Sequence, residues 1–105
     1  MNRVVFKNLS PKSWLRNLTL GRIAELEEKY PELSRAHFFA TLECRNSPTQ
    51  AGADEYAVTL HVRGPNRTEI HLTKSSDNLL KSLATAVDRL DQLIGKTRIS
   101  KRRAA

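Results

Sequence analysis

The chain has 105 residues, 39% hydrophobic and 28% charged, with 18 Lys plus Arg against 11 Asp plus Glu for a formal net charge of +7. That length buries one core, enough for a single domain and too short for a two-domain enzyme. No apolar run approaches the roughly 18 residues of a membrane-spanning helix, Met1–Lys7 lacks the apolar stretch of a secretory signal, and the single cysteine, Cys44, has no internal partner. A cytoplasmic protein is expected.

Val4, Val5 and Phe6 form a short strand-type run. Ser10-Pro11 then reads as the start of a helix, with Ser10 as cap and Pro11 in the first turn. Within 12–30, Trp14, Leu15, Leu18, Leu20, Ile23, Leu26 and Tyr30 recur mostly at helical spacing and predict one buried stripe. Gly21 weakens this helix by about 1 kcal/mol relative to alanine, and Pro31 ends it at Tyr30.

The period then changes to two. Ala36, Phe38, Ala40, Leu42 and Cys44 alternate with His37, Thr41, Glu43 and Arg45, with Phe39 breaking the pattern. Tyr56, Val58, Leu60 and Val62 alternate in the same way, as do Ile70 and Leu72, and Gly64-Pro65-Asn66 between these two runs predicts a hairpin. Residues 46–54 read as a mobile loop.

Ser75 or Ser76 is the expected cap of a last helix, with Asp77 in its first turn. Leu79, Leu80, Leu83, Val87, Leu90 and Ile94 form its apolar stripe, and Gly95 is placed to stop it. The fold class is therefore α+β, in the order β-α-β-β-β-α, a four-stranded sheet with two helices packed on one face. Residues 1–95 form the domain and 96–105 a basic tail.

No catalytic signature is present: the chain has no Gly-rich phosphate loop, no HExxH and no Gly-x-Ser-x-Gly elbow. No enzyme, cofactor or metal is expected. Cys44 alternates with core positions and reads as a small buried hydrophobe. His37, His61 and His71 fall on the polar sides of three strands, where solvated surface residues are commoner than a metal site or a protonation switch. Phe39 on that face has the character of a base-stacking residue but no companion aromatics.

The charge is segregated. Residues 1–24 carry five cations and no acid, 25–95 carry eight cations against eleven acids, and 96–105 carry Lys96, Arg98, Lys101, Arg102 and Arg103 with no acid. Such placement fits a polyanionic partner that meets both ends of the chain. Arg16 and Arg22 lie off the stripe of the first helix, and Lys81 and Arg89 off that of the last; an ordinary helix surface would pair them with neighbours, for example Arg22 with Glu25 or Lys81 with Asp77.

With this order in view, residues 55–96, above all Ala86-Val87-Asp88-Arg89-Leu90, together with Leu15-Arg16 and Arg22-Ile23, resemble the ribosome hibernation-promoting factor and ribosome-associated inhibitor family of bacteria. The resemblance runs from Val4 to Arg98. It implies a short-form, monomeric member without the added dimerisation domain of the long forms. Such a protein occupies the mRNA and tRNA channel of the small ribosomal subunit and silences translation under stress or in stationary phase. It also implies that Arg16, Arg22, Arg89, Lys96 and Arg98 meet ribosomal RNA phosphates. Lys74, Lys81, Lys101, Arg102 and Arg103 complete the candidate RNA-binding set. The chain departs from the family at Glu25, Gln92 and Gly95, where the family carries cations or Arg, and at Lys81-Ser82-Leu83-Ala84. Two alternatives stand beside this reading. One is a generic double-stranded RNA-binding domain, whose lysine cluster at the start of the last helix is reduced here to Lys74. The other is a protein-interaction module using the sheet face of His37, Phe39, His61 and Arg63.

Overall fold

A computed structural model describes residues 2–46, 54–64 and 69–104, with the side chains of 32, 34, 46 and 97–104 outside the description. Its elements are β1 (Asn2–Lys7), α1 (Ser13–Lys29), a 3₁₀ turn (Pro31–Arg35), β2 (His37–Asn46), β3 (Asp54–Arg63), β4 (Glu69–Ser76) and α2 (Leu79–Ala104). This is the expected β-α-β-β-β-α order and α+β class. The sheet order follows the chain, β1-β2-β3-β4. β1 pairs parallel with β2 because α1 carries the chain back between them. β2 with β3, and β3 with β4, are antiparallel. The expected mobile loop at 46–54, and Pro65 and Asn66 of the expected turn, lie outside the described residues apart from the strand ends.

The two-residue period sets which side of the sheet is covered. Val4, Phe38, Ala40, Leu42, Val58, Leu60 and Val62 are buried on the helix side, where they meet Leu15, Ile23 and Leu26 of α1 and Leu83, Ala86, Leu90 and Ile94 of α2 in one core. Cys44 shares this parity but is only half-buried, short of the fully buried position expected.

Five local expectations are corrected. Ser10-Pro11 does not open α1. Asn8 adopts a left-handed φ of 53°, which asparagine tolerates, and Lys12 is still extended, so the helix begins at Ser13 without a side-chain cap. Trp14 is 55% exposed, since the stripe against the sheet is Leu15, Thr19, Ile23 and Leu26. Thr19 is buried there because its hydroxyl donates to the Leu15 carbonyl at 2.9 Å.

At the other helix, Leu80 is 47% exposed. The cap is Asn78, whose Oδ1 accepts the Leu80 and Lys81 N–H groups at 2.9 and 3.2 Å. Ser75 and Ser76 are the last residues of β4, and Asp77 precedes the cap. Ser76 instead pins the junction: its Oγ lies 2.7 Å from that of buried Ser82, which donates to the Tyr56 carbonyl at 2.8 Å. Finally, α2 passes through Gly95 and runs to Ala104. Glycine at 95 answers to a close approach, since a Cβ there would lie 3.2 Å from the Tyr30 hydroxyl.

Candidate nucleic-acid interface

β1, β2 and β4 run parallel by register, and each helix returns from a parallel strand, so α1 and α2 run side by side in one direction. Their shared groove carries a polar knot. Pro31 forces Tyr30 out of helical dihedrals, and the side chain, buried at 7% exposure, donates its hydroxyl to Asp91 Oδ1 at 2.5 Å. Lys29 Nζ meets Asp91 Oδ2 at 2.9 Å and sits 5.5 Å from the Tyr30 ring centroid. The Tyr30 hydroxyl, then the Lys29 ammonium, hold the Asp91 carboxyl below its ordinary pKa. The Asp91 hydrogen bond in turn raises both Tyr30, helped by burial, and Lys29, helped by the opposite charge.

The groove beside this knot is lined by Arg22, Glu25 and Lys29 from α1 and by Val87, Asp88 and Asp91 from α2, with a volume of about 250 Å³. A second cleft, of about 610 Å³, shares Lys29, Asp88 and Asp91 with it and is bordered by Tyr30, Arg89, Gln92 and Lys96. Arg22 thus lines the first cavity, and Arg89 and Lys96 the adjoining one. Arg22 is balanced by Glu25 at 3.4 Å, both exposed, while Arg89 keeps its charge and donates to the neutral Gln92 amide at 3.3 Å.

The remaining candidates lie on the same helix layer at other points. Arg16 is exposed at the β1 side of α1, with its guanidinium carbon 5.6 Å from the Phe6 ring centroid. Lys81 is exposed and lies two turns before Asp88, hence on the groove side of α2. Lys74 is half-buried on β4, opposite fully buried Val58, and so belongs to the helix side of the sheet. Arg98, Lys101, Arg102 and Arg103 lie on the last turns of α2, where side chains are outside the description. Arg22, Arg89 and Lys96 therefore form a stripe along the two helices, Arg16 stands apart from it on the β1 flank of α1, and the nine residues after Gly95 extend the α2 backbone by about 13 Å beyond the groove.

Sequence reasoning missed Lys29, although it follows Arg22 by seven residues and so shares its helix face. It also missed Arg3 on the opposite, open sheet face, where it had placed Arg63. There the register sets Arg3, Phe39, His61 and His71 in one row across all four strands. The Phe39 and His61 ring centroids are 5.8 Å apart and those of His61 and His71 5.4 Å apart. His61 Nε2 also meets Glu69 Oε1 at 2.6 Å. Phe39 thus has ring companions that a count of Phe, Trp and Tyr overlooks. Among the described residues, no three His, Cys, Asp or Glu side chains gather as metal ligands, and no helix is long and apolar enough to cross a membrane.

Neither a protein-family model nor a curated protein sequence matches the chain. Solved structures do. The N-terminal domain of protein Y from Thermus thermophilus superposes with a TM-score of 0.72 at 18% identity, over 92% of this chain and 99% of that one. A ribosomal subunit interface protein from Coxiella burnetii gives 0.66 at 18% identity, over 98% and 99%. At this identity the likeness establishes the fold, which is the fold of the family that the sequence motifs resemble.

Proposed function

We propose that the protein is a non-enzymatic ribosome-binding factor of the hibernation family, acting in the cytoplasm. It inserts its basic helix layer among ribosomal RNA phosphates in the mRNA–tRNA channel of the small subunit. Translation is blocked by occupancy, as in stressed or stationary cells. What supports this reading is the stripe of Arg22, Arg89 and Lys96 along the helix layer, with Arg16 on its β1 flank and a basic stretch of sequence on the extension of α2, on a fold shared with the N-terminal domain of protein Y and a ribosomal subunit interface protein. Acids within the groove keep its centre near neutral, so the affinity comes from outside it, where Arg16 and the cations after Gly95 have the fewest acidic neighbours in sequence. A duplex-RNA domain is disfavoured by Lys74, the lysine before the last helix, which is half-buried on the helix-covered side of the sheet. Co-sedimentation of the full chain with purified small subunits at low salt tests the proposal. The protein should move with the subunits, and recovery at the top of the gradient overturns it.

A further inference from the structure

We infer that the open face of the sheet is a second RNA-binding site, which takes two or three nucleotides of single-stranded RNA by stacking bases on the Phe39–His61–His71 row. This site lies across the sheet from the helix stripe and does not depend on the ribosome reading.

Three observations carry it. The first is the row itself, in which strand pairing sets three rings side by side at 5.8 and 5.4 Å. Phe39 and His61 are tilted by 34° and form an offset platform, while His71 stands edge-on at 68° and walls it at β4. Rings on a sheet surface bind unstacked bases of any sequence, because every base has a π-face. Second, Phe39 lines a cleft of about 530 Å³ together with Arg35, His37, Arg63 and Gly64, which places two guanidinium groups beside the platform where phosphates of a stacked strand would run. Arg3 stands opposite Phe39 on the other side.

The third observation is charge complementarity. Of the residues on the two rows at this end, Glu69 is the one acid, and its carboxylate is engaged by His61. The other acids described on the strands of this face lie toward the opposite end, where Glu43 meets Lys7 at 3.6 Å and Arg45 at 3.0 Å. An acidic, ring-bearing ligand matches this end. A duplex does not, since its bases are stacked on one another and closed to a side-chain platform.

The test is fluorescence anisotropy of labelled hexauridylate and hexaadenylate with the full chain. Both should bind, more weakly as salt rises. Phe39→Ala should weaken both by about tenfold or more, Phe39→Trp should retain binding, and Arg35→Ala with Arg63→Ala should weaken binding and flatten the salt dependence. Wild-type affinity in Phe39→Ala, or no binding by the wild type at low salt, overturns the inference. So does self-association through this face that Phe39→Ala abolishes, which would assign the face to a protein partner. Retained binding by Phe39→Trp separates loss of stacking from loss of fold. A chain that fails to sediment with small subunits but binds hexanucleotides through Phe39 loses the ribosome reading and keeps this one. The converse result loses this one alone.

Discussion

Tyr30 joins the two helices through its hydroxyl, which reaches both the carboxylate and the backbone carbonyl of Asp91, and its neighbours make that junction dependent on pH. Tyr30→Phe removes the donor to Asp91 while leaving the ring packed, and should cost about 1 kcal/mol in urea unfolding. Asp91 has a depressed pKa, so its contribution is complete above the ordinary carboxylate pKa, about 4, and is lost as pH falls through the lower folded value. Tyr30 and Lys29 have raised values, so theirs is complete below about 10 and is lost as pH rises through the folded values. Asp91→Asn should flatten the stability profile in both windows; an unchanged acid limb in thermal melts would contradict this account. The two helical glycines give an internal comparison. Nothing lies within 4 Å of a Cβ at Gly21, whereas one at Gly95 crowds the Tyr30 hydroxyl at 3.2 Å. Gly21→Ala should gain most of about 1 kcal/mol of helix propensity. Gly95→Ala should gain markedly less, because Tyr30 is buried and held by Asp91 and cannot give way.

At the scale of elements, the strands were legible because a period of two admits one reading, and the register puts Val4, Ala40, Leu60 and Leu72 on one row as that period requires. Helix ends were not. All four residues from Ser75 to Asn78 are capping types, and what selects Asn78 is the length of β4, whose pairing continues to Ser76 opposite Tyr56. That is a long-range fact, absent from local sequence. Asn78→Ala should accordingly cost about 1 kcal/mol, while Ser75→Ala should cost little, as measured by chemical denaturation. Gly95 was misread for a related reason, since its partner Tyr30 lies 65 residues away in the chain. The candidate site was legible as cations, but not as a groove: Asp88 and Asp91 come to face Arg22 and Lys29 only when α1 and α2 pack side by side.

For the molecule as a whole, the net charge of +7 conceals two differently built faces. One is a helix layer whose cations run as a stripe into an extended α2, and the other is an open sheet with rings at one end. Charge segregation along the chain was readable directly, because the acids are confined to residues 25–95. Its arrangement in space was not, because it depends on the parallel course of the two helices. The claim that the stripe binds the small ribosomal subunit is tested most directly by pelleting the full chain with purified small subunits across a salt series. With about six phosphates contacted, the logarithm of the affinity should fall against that of salt with a slope of about −4 to −5.5. Replacing Arg98, Lys101, Arg102 and Arg103 by Gln should weaken binding and flatten that slope by about 3. A full chain that stays in the supernatant at low salt would contradict the account.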